Sequence, residues 1–110
     1  MTVAAESSTR SLHRALVNRI LQGPGQASAE QRGRAFDNGE LPEPVHTLID
    51  KVAARSAQVT DSDFAAAARA GVSDDQLFEL VICAAVGEST RQYEAALAAL
   101  AEASDAPGVR

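Results

Sequence analysis

Apolar residues recur at helical spacing along most of this chain, in segments separated by glycine, proline and small polar residues. The clearest segment has apolar residues at i, i+3, i+4 and i+7, one stripe of an amphipathic helix; these are Val45, Leu48, Ile49 and Val52. No stretch of useful length alternates apolar and polar residues as a half-buried strand does. The pattern therefore predicts an all-α fold, a small bundle of five to six helices.

Capping signals predict where several helices begin. A serine or threonine followed three residues later by glutamine or an acid is the signature of a capping box, and it occurs at Ser28, Thr60 and Ser73. We expect the second, fourth and fifth helices to start there. Pro42 and Pro44 suit the first turn of the third helix.

Glycine and proline predict the helix ends. A first helix over residues 8–21 should stop at the Gly23-Pro24-Gly25 turn. Gly71 suits the position just after the fourth helix, where left-handed backbone is common. Gly87 marks a kink or a boundary in the long apolar segment that follows.

Length and composition indicate the domain organisation. A chain of 110 residues, 45% apolar and 23% charged, fits one globular domain. We assign residues 8–103 to a single helical domain. Residues 1–7 are small and polar, and residues 104–110 include Pro107-Gly108, so both ends are predicted to be flexible.

Charge, hydropathy and cysteine usage narrow the functional classes. The net charge of −5 argues against nucleic acid as a partner, because binding a phosphate backbone requires a basic face. The sequence has no apolar run of about 18 residues to span a membrane, and its N-terminus lacks the features of a secretory signal. The single cysteine, Cys83, cannot form an internal disulfide, which fits a reducing, cytoplasmic location.

The most apolar segment runs from Leu77 to Val86, where nine of ten residues are apolar and the exception is Glu79. A helix that is apolar on nearly all sides must be covered by protein all round. Five or six short helices barely provide that cover. The segment therefore predicts self-association into a homo-oligomer.

Glu79 has two interpretations. It is either a buried carboxylate whose raised pKa suits proton transfer, or part of a solvent-facing strip, because Asp75, Glu79 and Cys83 are spaced four residues apart. The strip is the simpler interpretation. A nucleophilic cysteine needs a nearby cation or a helix N-terminus; Cys83 lies more than two turns into its helix with a glutamate one turn away, so we interpret it as structural.

Arg91 and Tyr93 follow Gly87 in a short polar stretch. Arg91 lies three residues from both Glu88 and Glu94, which is the spacing of a surface ion-pair ladder. The alternative is a polar cluster at a helix junction that binds a carboxylate ligand or a partner protomer, with the Tyr93 hydroxyl presented there.

The two histidines, His13 and His46, are predicted on the outer sides of their helices. Neither has a second histidine or a cysteine pair at metal-ligand spacing. No glycine-rich phosphate loop follows a strand. The sequence therefore predicts no metal site and no cofactor, and His46 is retained only as a candidate acid or base.

Residues 44–100 carry a helix, the segment V-T-D-S-D-F-A-A, an alanine-rich helix ending in A-G, the opening S-D-D-Q-L, and E-L-V on a long apolar helix. This series resembles the carboxymuconolactone decarboxylase and alkylhydroperoxidase D-like superfamily over about half of the chain. The resemblance implies an all-α fold that assembles as dimers, trimers or hexamers.

The antioxidant members of that superfamily use a C-x-x-C pair with an upstream glutamate and a nearby histidine. When E-L-V is aligned with their active-site helix, Glu79 corresponds to the upstream glutamate of the family. The two cysteine positions then fall near Arg91 and Glu94, and the histidine position falls near Ala98. If the stretch is instead the non-catalytic half of the family's fold, the motif belongs upstream, where no cysteine exists. Peroxidase and disulfide-reductase chemistry is therefore not implied.

Three functional hypotheses follow. The first is a non-redox, alkylhydroperoxidase D-like helical protein that acts as an assembly or accessory subunit, as a homo-oligomer or beside a catalytic relative. The second is a cysteine-independent decarboxylase- or isomerase-like enzyme, in which Arg91 holds a small carboxylate and Glu79 or His46 is the acid or base; Glu79 and Arg91 must then converge within about 8 Å. The third is a single-cysteine thiol antioxidant.

Overall fold

The computed structural model describes residues 3–105, with side chains from residue 8 onward, and this part of the chain contains five α-helices and no strand. The helices are α1 (Val3–Gln22), α2 (Ala29–Phe36), α3 (Val45–Ala54), α4 (Asp61–Arg69) and α5 (Asp74–Asp105). A short 3₁₀ helix, Ser56–Gln58, joins α3 to α4. The predicted all-α fold is confirmed as a small helical bundle.

Side chains cap the three helices whose starts the sequence predicts. Ser28 Oγ accepts a hydrogen bond from Gln31 N at 3.1 Å at the start of α2. At α5, Ser73 Oγ accepts from Gln76 N at 3.1 Å while Gln76 Oε1 accepts from Ser73 N at 2.9 Å. These bonds satisfy backbone donors that have no partner inside the helix.

Helix α4 ends where the sequence predicts, at a left-handed glycine. Gly71 has a φ of +91°, and its N–H donates to Ala68 O at 3.0 Å. The next residue, Val72, donates to Ala67 O at 3.3 Å. This pair of bonds is a Schellman motif, which turns the chain sharply into α5.

The core lies where α2 and α3 pack against the first half of α5. Its largest fully buried side chains are Leu48, Ile49 and Cys83. Alanines at the helix contacts let the backbones approach closely; Ala35, Ala67 and Ala84 have no exposed surface. Burying each large apolar side chain contributes about 1.5–3 kcal/mol.

Two helix boundaries differ from the prediction. Helix α1 begins at Val3 and not near Ser8, although residues 3–7 continue no apolar stripe. Helix α5 continues to Asp105, two residues beyond the predicted domain end. Residues 1–2 and 106–110, which the sequence predicts to be flexible, lie outside the described residues.

Gly87 does not break α5, which is one helix of 32 residues. Its position is explained by packing: Gly87 is buried, and a Cβ there would overlap the carbonyl group of Phe36 at the end of α2. The predicted helix boundary at Gly87 is absent, because this glycine instead permits close approach between two helices.

The molecule is elongated, with extents of 56 × 29 × 20 Å. Its radius of gyration is 17.1 Å, compared with about 13 Å for a compact chain of this length. From Gln92 to Asp105 every residue except Leu97 is exposed. We call residues 8–17 of α1 and residues 87–105 of α5 the arm.

No helix in residues 3–105 combines the length and apolar character that crossing a membrane requires.

Candidate functional site

Polar side chains gather at two places along α5. The first, the loop anchor, is formed by Arg32, Glu79 and Cys83 against the loop between α1 and α2. The second, the arm groove, lies between α1 and the second half of α5. The two helices are antiparallel, since Ile20 lies at Cys83 and His13 lies at Thr90.

Glu79 holds the loop through two backbone hydrogen bonds. Its Oε2 accepts from Gln26 N and its Oε1 accepts from Ala27 N, each at 2.8 Å. These bonds lower the pKa of Glu79, and the nearby Arg32 charge also lowers it, against the opposing effect of burial. The interpretation of Glu79 as a carboxylate with a raised pKa is therefore wrong; its pKa shift favours the charged form.

Arg32 completes the loop anchor from inside α2. Its side chain is buried, and Nη1 donates to Ile20 O at 3.1 Å and to Gly23 O at 2.8 Å. Both acceptors lie at the C-terminal end of α1, where carbonyl groups lack helical partners and the helix dipole is negative. A buried cation thus replaces the missing donors.

Cys83 is 1% exposed, and its Sγ donates to Ile20 O at 3.6 Å. Burial raises the pKa of the thiol; Arg32 opposes this effect and Glu79 adds to it. The structural interpretation of Cys83 is consistent with this position, whereas the solvent-facing strip is wrong, because Cys83 is in the core. The raised pKa also disfavours the thiolate that antioxidant chemistry needs.

Changing Glu79 to glutamine should remove pH-dependent stability. Glutamine has one oxygen acceptor for two N–H donors, so the free energy of unfolding at pH 7 should fall by about 1 kcal/mol. Because the folded-state pKa of Glu79 is lowered, its contribution is present above the unfolded-state value of about 4.3 and lost as pH falls through the folded-state pKa.

Urea denaturation of both proteins at pH 7 and at about pH 2.5 measures this effect. The difference between wild type and Glu79→Gln should shrink at the lower pH. An equal difference at both pH values would show that the carboxylate charge does not stabilise the loop.

Arg91 caps the next helix. Its Nη1 donates to Phe36 O at the end of α2 at 2.6 Å, and its Nη2 donates to Glu88 Oε1 at 3.2 Å. The predicted ion pair with Glu88 is therefore present, while Glu94 lines the arm groove. Arg32 and Arg91 thus each donate to backbone carbonyl groups at the C-terminal end of a helix, Arg32 at α1 and Arg91 at α2.

The sequence predicts that His13 and His46 face outward, but in the structure both side chains are half-buried. His46 Nδ1 accepts from Leu41 N at 3.3 Å and so fastens the loop before α3. His13 Nε2 lies 3.0 Å from Thr90 Oγ1. Thr90 already donates its hydroxyl proton to Val86 O at 2.7 Å. A hydroxyl has a single proton, so His13 Nε2–H is the donor.

The structure does not bring the predicted candidates together. Glu79 and Arg91 lie twelve positions apart on one helix, which separates them by about 18 Å along its axis. Tyr93 lines the arm groove, and His46 lies at the α2–α3 loop. The convergence of Glu79 and Arg91 that the enzyme hypothesis requires is not met.

The arm groove is an open cleft of about 820 Å³. Val17, Phe36 and Leu97 supply its apolar lining. Around them lie polar and charged groups from both helices: Arg10, His13, Arg14, Thr90, Tyr93 and Glu94. The rings of His13 and Tyr93 are 6.4 Å apart between centroids, tilted by 35°.

Sequence reasoning found Tyr93 but missed Arg32 and the groove arginines. Arg34, two residues from Arg32 on the same helix, is exposed and paired with Glu30 at 2.7 Å. Nothing in the local pattern distinguishes the two arginines. Within the described residues there is also no group of three or more histidine, cysteine, aspartate or glutamate side chains placed to hold a metal ion.

Comparison with family models, with curated proteins and with solved structures gives no match for this chain.

Proposed function

We propose that this chain is a non-enzymatic helical subunit that self-associates through its arm and acts in assembly or as an accessory to a partner. The observation that carries the proposal is the exposure of large apolar side chains on the arm. Leu12 is 73% exposed, Leu100 is 64% exposed, and Leu16 and Tyr93 are about half exposed, while Phe78 at 67% and Phe64 at 40% lie outside the arm. Four of the six exposed large apolar side chains of the described residues therefore lie on one projection, which favours a protein interface there.

The size of the surface also bears on the interface. The arm segment of α1 spans ten residues, about 15 Å, and that of α5 spans nineteen residues, about 28 Å, each about 10 Å wide with its side chains. One face of the arm therefore projects roughly 400 Å², so a stable interface of standard size, about 800 Å² per partner, must use more than one face of the arm.

Charge also supports self-association. Residues 8–22 of α1 carry three arginines and no acid, whereas residues 88–105 of α5 carry Glu88, Glu94, Glu102 and Asp105 against one arginine. In a two-fold arrangement, each basic α1 could face the acidic half of the other copy's α5.

An alkylhydroperoxidase D-like fold type, and a catalytic relative as a hetero-partner, belong to the same proposal. The series of short capped helices leading to E-L-V on α5 supports the fold type. A chain with that series, one buried cysteine and no C-x-x-C pair suits an accessory role better than a redox role.

Polar substitutions on the arm test the proposal. The double variant Leu12→Gln, Leu16→Gln should raise the dissociation constant for self-association at least about tenfold, because each change removes apolar area from the interface. Phe64→Gln on α4 is the matched control, since Phe64 is 40% exposed but lies outside the arm. Light scattering over a concentration series measures both. Equal weakening by the two proteins would refute an arm interface.

A further inference from the structure

We propose that the arm groove receives the acidic end of α5, residues 100–105, from a second copy of this chain, and that the exchange is reciprocal. This inference rests on the proposed self-association and specifies its geometry.

The groove offers cations that have no carboxylate partner among the described side chains. Arg10 and Arg14 line it, and neither forms an ion pair with any carboxylate in the described residues. Arg34, Arg55 and Arg91 each have a carboxylate partner, whereas the exposed Arg19 and Arg69, like Arg10 and Arg14, form no ion pair among the described side chains. Arg10 and Arg14 are one helical turn apart, so they present two positive charges at a spacing of about 5–6 Å between Cβ atoms.

The end of α5 offers the complementary charges. Glu102 and Asp105 are exposed, lie three residues apart, and therefore have nearly the same spacing as the two arginines. The last turn of α5 contains no basic residue, so the acids add to the negative end of the helix dipole. A cation supplied from outside would offset this unfavourable arrangement.

The same chain cannot supply this contact. Helices α1 and α5 are antiparallel, with Ile20 in contact with Cys83 and His13 in contact with Thr90. Continuing this pairing along the helix axis places Arg10 opposite about Tyr93. Glu102 lies nine residues farther along α5, about 14 Å beyond Arg10. The acidic end therefore projects past the groove of its own chain.

Apolar contacts fit the same arrangement. Leu100 is 64% exposed and precedes the two acids on α5. Val17, Phe36 and Leu97 form an apolar lining in the groove that has space for such a side chain. In a two-fold dimer the contact occurs twice, because the groove of each copy receives the end of α5 from the other copy.

Charge reversal tests this contact. The variants Arg10→Glu, Arg14→Glu and Glu102→Arg, Asp105→Arg should each raise the dimer dissociation constant at least about tenfold at low salt. The protein carrying all four changes should return to within about fivefold of wild type, because the pairs are restored with opposite sign. Arg34→Glu, Arg69→Glu is the control for the arginine variant, since both double changes lower the net charge by the same amount and the control does so at exposed sites outside the arm.

Light scattering gives the mass, and tyrosine fluorescence reports the groove, because Tyr93 is the only tyrosine and the chain has no tryptophan. We expect the Tyr93 signal to change with dimer formation and to follow the same order among the variants. If dimers form but the half-reversed variants match the control, or the fourfold variant is not restored, the groove contact is refuted while assembly stands. A strict monomer would refute both.

Discussion

Replacing Gly87 with alanine should destabilise the protein by about 3 kcal/mol, even though alanine is the better helix former by about 1 kcal/mol. The added methyl group would overlap the backbone carbonyl of Phe36, which cannot rotate away as a flexible side chain can. Helix α2 must therefore shift from α5, and Arg91 would then lose its hydrogen bond to Phe36 O. Urea denaturation measures the loss.

Gly33→Ala is the control for this prediction. Gly33 lies within α2, and a Cβ at that position meets no atom within 4 Å. The same substitution should therefore stabilise the protein by about 0.5–1 kcal/mol. If both alanine variants were stabilised, α2 and α5 would not be in close contact at Gly87.

Replacing Arg32 with methionine should cost about 3 kcal/mol. Methionine retains much of the buried side-chain volume but donates no hydrogen bond, so Gly23 O loses the Arg32 donor and Ile20 O keeps only the weak Cys83 thiol donor. A buried carbonyl left without a partner costs about 1–3 kcal/mol, part of which water entering the loop would recover. The carboxylate of Glu79 also loses a neighbouring positive charge.

Arg34→Met measures the effect of losing an arginine from α2 at an exposed position. Its ion pair with Glu30 lies in solvent, so the change should cost less than about 0.5 kcal/mol. Comparable losses for the two variants in urea denaturation would show that Arg32 does not hold the C-terminal end of α1.

Local signals predicted the helices well. The capping pairs at Ser28, Thr60 and Ser73 and the glycine at position 71 act within a few residues, so the sequence displays them directly. The apolar stripe of α3 predicts its buried face for the same reason. Gly87 was misread because its constraint comes from α2, about fifty residues earlier.

The candidate site was less predictable because its contacts are distant in sequence. Glu79 accepts hydrogen bonds from the backbone N–H groups of Gln26 and Ala27, more than fifty residues away. The sequence around Glu79 contains no pattern that indicates those donors. The same holds for His13 and Thr90 across the arm. The sequence therefore offered a solvent-facing strip or proton transfer for Glu79, whereas in the fold its carboxylate accepts two backbone hydrogen bonds from a loop.

The central claim is that the chain assembles through its arm, and the mass of the unmodified protein in solution tests it most directly. Sedimentation equilibrium over a range of micromolar concentrations should give a mass that rises towards twice 11.5 kDa, the mass of two chains. A mass of 11.5 kDa at every concentration would contradict the account.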